Sequence, residues 1–198
     1  MTTKDFEVRW LEAADQIAQA VGVTARALRD NPSTVAISSD PQMRVELMYS
    51  TFAGMLAQGR VAGIVRGACV LGVAAANPPG YCVATMLPPE IRILDTPSSD
   101  ATDVERLLHM GSMLAAHDLL ESHWHVGPVG VEPGFQGMGM GGAAMKLLCD
   151  EFDEEGRLAW LETDRPENLQ FYNSLGFEVV EEIPLLTFRN WFMRREPR

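Results

Sequence analysis

Gly137, Gly139 and Gly141 recur at alternate positions between an apolar run that ends at Val131 and the amphipathic helix that follows, within Val129 to Leu148. A strand, a Pro133 turn, a loop reading Gln136-Gly137-Met138-Gly139-Met140-Gly141 and a helix, in that succession, suit a pyrophosphate cradle. Glycine has no Cβ, so the main chain can approach a bulky anion and turn through positive φ. Amides at the mouth of a helix lack intrahelical partners and sit at the positive end of its dipole. A phosphorylated cofactor is therefore expected here. Gly137, Gly139 and Gly142 also satisfy the dinucleotide pattern Gly-x-Gly-x-x-Gly, with Glu162 near the place of a ribose-binding acid. A dinucleotide domain, however, needs several further strand-helix units. After the loop and its helix the chain reads as one strand, one short helix and two closing strands, which counts against a dinucleotide-binding oxidoreductase.

The elements that must position this loop follow from periodicity. Leu11, Ala14, Ile17, Ala18 and Val21 predict an opening amphipathic helix, and Val45, Met48, Phe52 and Met55 a second one after Pro41. Residues Val61 to Val65 and Ala68 to Ala76 predict two strands joined through Arg66-Gly67. Asn77 to Ser99, rich in proline, reads as irregular chain that could overhang a pocket. A longer helix is expected from Asp103 to Glu121, with Val104, Leu107, Leu108, Gly111, Leu114 and Leu119 inward and His109 and His117 structural or exposed. Strands then follow over Trp124 to Val131, Leu158 to Glu162, Phe177 to Glu182 and Thr187 to Met193. A short helix from Glu167 to Leu175 precedes the last two.

Composition fits one α/β domain over residues 1–198: 46% of the residues are apolar, and no linker divides them. No apolar run is long enough to span a membrane, and MTTKDFEVRW lacks the apolar core of a signal peptide, so a cytoplasmic address is expected. A net charge of −11 argues against nucleic acid, whose phosphates need a basic face. It is compatible with a cationic amine as partner. Lys146 and Arg165 could add local positive charge beside an anionic cofactor. Cys69, Cys82 and Cys149 form no Cys-x-x-Cys pair and read as reduced core filler. No His/Cys/Asp cluster has metal-ligand spacing, so no metal is predicted.

Two separated motifs carry a family resemblance. Val131-Glu132-Pro133 with Gln136, Gly139 and Gly141, followed some thirty residues later by NLQFYNSLGF from Asn168 to Phe177, resembles the GNAT superfamily of acetyl-CoA-dependent acetyltransferases. Asp30-Asn31-Pro32, LETDRPENLQFYNSLGF and the tail WFMRR look most like the branch that contains puromycin N-acetyltransferase. The resemblance implies a central mixed, mostly antiparallel sheet, splayed between its fourth and fifth strands and flanked by helices. It also implies direct transfer of acetyl from acetyl-CoA to an amine, most simply a small molecule, and is compatible with a homodimer.

Site residues are carried over on the same motifs. Main-chain groups of Val129 and Val131 bind the pantetheine arm, and the Val129 amide is the donor to the thioester oxygen, a kind of contact worth about 3 kcal/mol of barrier. Amides of Gln136, Gly137, Met138, Gly139, Met140 and Gly141 take the pyrophosphate. Tyr172 is the general acid: a phenol of pKa about 10 can return a proton to a departing thiolate of pKa near 8.5. Asn168, one turn earlier, could bond the pantetheine or cap its helix. His125 stands where several such enzymes carry a catalytic Glu and is the candidate base or water relay, with His123 on the same strand face. Glu162 is a further candidate base or acceptor-orienting group, and solvent water remains an alternative. Trp124, Trp191, Phe192 and the methionine-rich second helix could line an acceptor pocket. A catalytically idle acyl-CoA sensor is the alternative function.

Overall fold

Two apolar runs folded back on one another at Arg66-Gly67 form the centre of the sheet. Gly67 sits at φ +60°, a left-handed turn conformation that glycine adopts without steric cost. In the computed structural model, which describes residues 6–198, the first half of the chain comprises β1 (Glu7–Trp10), α1 (Ala14–Ala27), α2 (Pro32–Ile37), α3 (Pro41–Gln58), β2 (Arg60–Arg66) and β3 (Cys69–Asn77). The second half comprises α4 (Val83–Met86), α5 (Asp103–Ala116), β4 (Trp124–Val131), α6 (Met140–Glu154), β5 (Ala159–Thr163), α7 (Glu167–Ser174), β6 (Glu178–Leu185) and β7 (Phe188–Arg195). The strands lie in the order β1-β2-β3-β4-β5-β7-β6. Every neighbouring pair is antiparallel except β4 and β5, which run parallel. This is the mixed, mostly antiparallel sheet that the motifs implied.

Both faces of the central strands are apolar, so both must be covered. Ala62, Ile64, Ala74 and Ala76 face α6, which packs Ala144, Met145, Leu148 and Phe152 against them. Val61, Val73 and Ala75 face the other way, under Ala20 and Val21 of α1 and Met48, Phe52 and Leu56 of α3. A smaller cluster of Trp160, Ile183 and Phe192 receives Met113 and Leu114 of α5.

Several expectations change. The described chain opens with a strand, not a helix: Glu7 to Trp10 pairs with β2 from Glu7↔Val65 to Trp10↔Ala62, and four residues are too few to display alternation. Leu11 is buried outside α1, filling the space above Gly63. The six residues of α2 lie in what read as a connection, because they span fewer than two turns. The long helix stops at Ala116: Asp118 then accepts hydrogen bonds from the amides of Leu119 and Ala84, turning the chain towards β4. Val104, expected inward, is 57% exposed, and Leu119 packs beyond the helix end. Cys69 is exposed at the start of β3 and is not core filler, whereas Cys82 and Cys149 are buried. The proline-rich stretch contains α4 and a 3-10 turn over Pro89–Ile91.

Arg195 ends β7 almost wholly buried, with two 2.7 Å hydrogen bonds to Asp153 of α6 and a third to the Leu175 carbonyl. The Arg195 hydrogen bonds hold the Asp153 carboxyl below its ordinary value, against the opposing effect of burial. Removing the anion strands a buried guanidinium, so Asp153→Asn is expected to destabilise the fold at pH 7 by on the order of 2 kcal/mol. A depressed carboxyl contributes stability that is full above its unfolded value, near 3.9, and is lost as pH falls through the lower folded value. Urea unfolding curves of wild type and variant should therefore separate at pH 7 and converge in strong acid.

Candidate active site

The parallel pair β4/β5 is short. Its register runs only over Trp124↔Ala159, His125↔Trp160 and Val126↔Leu161, after which the strands part while β4 continues to Val131 along β3. A bulge between Ala74 and Ala76, opposite Val126 and Val129, marks the same place. The Glu132 amide donates to the Leu71 carbonyl, on the β3 side. By strand alternation, Val131 and Val129 turn their main-chain groups to the opposite edge, into the opening. The Gln136 side chain donates to the Val131 carbonyl there at 3.1 Å.

The glycine loop closes one end of the opening. Gly137 and Gly139 have φ of +75° and +77°, and Gly139 is the N-cap of α6. Gly141 lies inside the first turn, where no positive φ is needed. Val129, Val131, Gln136, Gly137, Gly139 and Gly141 line one wall of a cavity of about 340 Å³, with Arg165, Asn168, Phe171 and Tyr172 on the other. Met138 and Met140 direct their side chains into the α6 core, so they can offer a ligand only their amides. Lys146 is paired with Asp150 at 2.7 Å and lies outside the cavity lining. Arg165 does line it, held by the Asn31 side chain at 3.0 Å.

A second cavity, of about 270 Å³, adjoins the first. Leu28, Asn31, Val129, Asn168 and Tyr172 belong to both linings. Tyr172 thus stands where the two meet. Burial, with Asp164 adding repulsion of the phenolate, pushes its pKa well above the ordinary value, so it stays a proton donor across neutral pH. Its ring is fixed between Phe171 and Phe177, with centroids 5.0 and 6.0 Å away. Asn168 donates to Thr163 Oγ1 at 3.3 Å and does not cap α7, whose N-cap is Pro166.

The second cavity is apolar along Met48, Phe52, Met55, Leu107, Met110 and Leu114, and ends at His125 and Glu162. His125 Nε2 lies 3.0 Å from Glu162 Oε2, and its Nδ1 lies 3.7 Å from Asp118 Oδ1. Burial alone would discharge this ring. The flanking carboxylates of Glu162 and Asp118 outweigh it and push the His125 pKa up to about 10. Burial would raise the Asp118 carboxyl, but the adjacent His123 and His125 rings, 3.1 and 3.7 Å away, hold it far below its usual range. Glu162 Oε1 is buried without a hydrogen-bond partner. Asp164, also in this lining, is by contrast satisfied by the Ser33 amide at 2.8 Å, the Ser33 hydroxyl and Asn31. His123 is buried just behind His125, its ring centroid 5.8 Å away, and lines neither cavity.

Of the apolar residues expected around an acceptor, only the second-helix methionines reach the cavity. Trp124 packs on Phe152 and donates to Glu155, Trp191 donates to Glu182, and Phe192 stacks on Trp160. Leu28, Asn31, Ser33 and Phe188 also line this cavity. Asp30-Asn31-Pro32 was the one signal near them. His109 and His117 lie outside both cavities: His109 bonds the Ile93 carbonyl and His117 pairs with Glu181. Glu162 faces the apolar cavity and not the glycine loop, and the chain closes with antiparallel strands. Neither feature suits a dinucleotide domain.

Residues 104–177 match the sequence model of the Acetyltransferase (GNAT) family. The fold is shared with an agmatine N-acetyltransferase (TM-score 0.69, 15% identity, 98% of this chain and 100% of the other covered). It is shared too with the PaiA N-acetyltransferase of Thermoplasma acidophilum, solved with coenzyme A (TM-score 0.60, 9% identity, 96% and 98% covered). A third similar structure is the polyamine N-acetyltransferase of Drosophila melanogaster (TM-score 0.61, 15% identity, 97% and 100% covered). The match of residues 104–177 and the fold shared with these N-acetyltransferases agree with the resemblance that the two motifs carry.

The loop geometry separates its glycines. A side chain at the left-handed Gly139 costs about 1–2 kcal/mol, whereas a methyl group at Gly141 would meet nothing nearer than 3.9 Å. Denaturant unfolding is expected to show Gly139→Ala destabilised by about that amount and Gly141→Ala unchanged or slightly stabilised.

Proposed function

We propose that this chain is an acetyl-CoA-dependent N-acetyltransferase whose acceptor is a small amine with an apolar body. The observation that carries the reading is the position of Tyr172, a buried phenol shared by two adjoining cavities of different chemistry. The first cavity fits the carrier on features of the chain itself: two left-handed glycines at the mouth of a helix, and a strand edge with no neighbour. When bound, acetyl-CoA supplies an acyl thioester.

Amides of Gln136 to Gly141 hold the pyrophosphate, and main-chain groups of Val129 and Val131 hold the pantetheine arm. The Val129 amide donates to the thioester oxygen. Tyr172 donates its proton to the leaving sulfur; burial keeps that proton on the phenol at neutral pH, at the cost of a weaker acid. Asn168 keeps the α7 end of the wall in register with β5 through Thr163.

At the acceptor end the division of labour differs from that expected of His125 as a free base. Glu162 Oε1, buried, unpartnered and on the cavity wall, is the atom that receives the ammonium group and takes its proton. His125 fixes the other Glu162 oxygen, with the Asp118 carboxylate 3.7 Å from its Nδ1. One free carboxylate oxygen beside a methionine-lined wall favours a monoamine with an aliphatic or aromatic body over a polyamine.

Thiol release against a panel of monoamines, agmatine and polyamines tests this. Tyr172→Phe is expected to lower kcat about 100-fold with little change in the KM for acetyl-CoA. Glu162→Gln should lower kcat/KM for the amine at least tenfold, and His125→Ala should lower it less. Wild-type rates in both Tyr172→Phe and Glu162→Gln would refute the assignments. Calorimetric binding of coenzyme A with no thiol release across the panel would instead favour an idle sensor.

A further inference from the structure

Behind the acceptor cavity, three side chains from separate parts of the chain converge. Cys82 Sγ, an Asp118 carboxylate oxygen and His123 Nε2 lie within 4.8 Å of one another. Cys82 is 8% exposed and His123 3%, and the Asp118 side chain is fully buried. The spacing in sequence gave no hint of this cluster, because Cys82 precedes α4 and the other two flank the turn into β4.

His123 Nδ1 lies 2.7 Å from the Glu121 carbonyl, a contact that requires a proton on Nδ1. In the neutral ring Nε2 then carries a lone pair. That nitrogen is buried, has no hydrogen-bond partner, and lies 3.1 Å from Asp118 Oδ1. A lone pair and a carboxylate oxygen at this distance repel unless positive charge is placed between them. A proton there would call for a well-aligned hydrogen bond, and the two groups do not meet that geometry. Two ligands of one tetrahedral metal ion behave differently. With bonds of about 2.0–2.1 Å their donor atoms lie about 3.3 Å apart, and their lone pairs converge on a point off the line that joins them.

We propose that Cys82, Asp118 and His123 bind a divalent transition-metal ion of zinc type. A thiolate, an imidazole and a carboxylate suit zinc better than calcium or magnesium, which prefer all-oxygen shells. An outer layer is already in place: the Glu121 carbonyl on His123 Nδ1, and the Leu119 and Ala84 amides on Asp118. Binding releases the Cys82 thiol proton to solvent and leaves a fourth position for water. The ion ties the start of α4 to the foot of β4. Val83, next to Cys82, lines the acceptor cavity, so the ion braces that wall.

The test uses untagged protein freed of metal by a chelator, then titrated with Zn²⁺ or Co²⁺. One equivalent of zinc should bind and raise Tm. Cobalt should give a sulfur-to-metal charge-transfer band, lost in Cys82→Ser and retained in Cys69→Ser and Cys149→Ser. Asp118→Asn should weaken zinc at least tenfold. The proposal is overturned if no metal binds beyond the level of a buffer blank, or if the cobalt spectrum of Cys82→Ser matches wild type. Should that variant fail to fold, the wild-type spectrum decides, and absence of the sulfur band rejects the site.

Discussion

The site depends on a failure of strand pairing. β4 and β5 stay together for three residue pairs and then part, leaving the main chain of β4 from Val129 onward bonded on one edge only. A buried amide or carbonyl without a partner costs about 1–3 kcal/mol. The opening must therefore be filled by water, by a side chain such as Gln136, or by a ligand with amides of its own. An extended chain with spaced amides completes such an edge much as an added strand does. The long pairing of β3 with β2 and the cover of α1, α3 and α6 on its faces keep the rest of the sheet rigid while this one seam stays open.

Polar groups at the other end are handled in two ways. Asp164 is saturated by Ser33 and Asn31, which join the segment after α1 to the end of β5. Glu162, two residues earlier and still on β5, keeps one oxygen unpaired. The same stretch of backbone thus carries one carboxylate that is fully paired and one that is not. Burial alone would discharge His125, and the Glu162 and Asp118 carboxylates beside it keep the ring charged.

Legibility followed range along the chain. The limits of β4 and the start of α7 were readable from local pattern, and so was the glycine loop, since turn, loop and helix adjoin in sequence. The place of Tyr172 on α7 was readable for the same reason. The four-residue β1 and six-residue α2 were missed because their periods are too short to register. His125 and Glu162 were each visible, but the hydrogen bond between them depends on the register of β4 on β5. The approach of Cys82 to His123 depends on where an irregular segment crosses the sheet, which no local pattern encodes. Trp124 and Phe192 were assigned to a pocket on residue type alone, and strand direction instead sends both into the core.

The partition of the two linings has an evolutionary consequence. Tyr172, Asn168 and Val129 are common to both compartments, so under the proposed function exchanging any of them would disturb carrier and acceptor together. Met48, Phe52 and Met55 of α3 touch one compartment alone. New acceptors can therefore be explored by varying a single helix, while the shared hinge of the chemistry is left untouched.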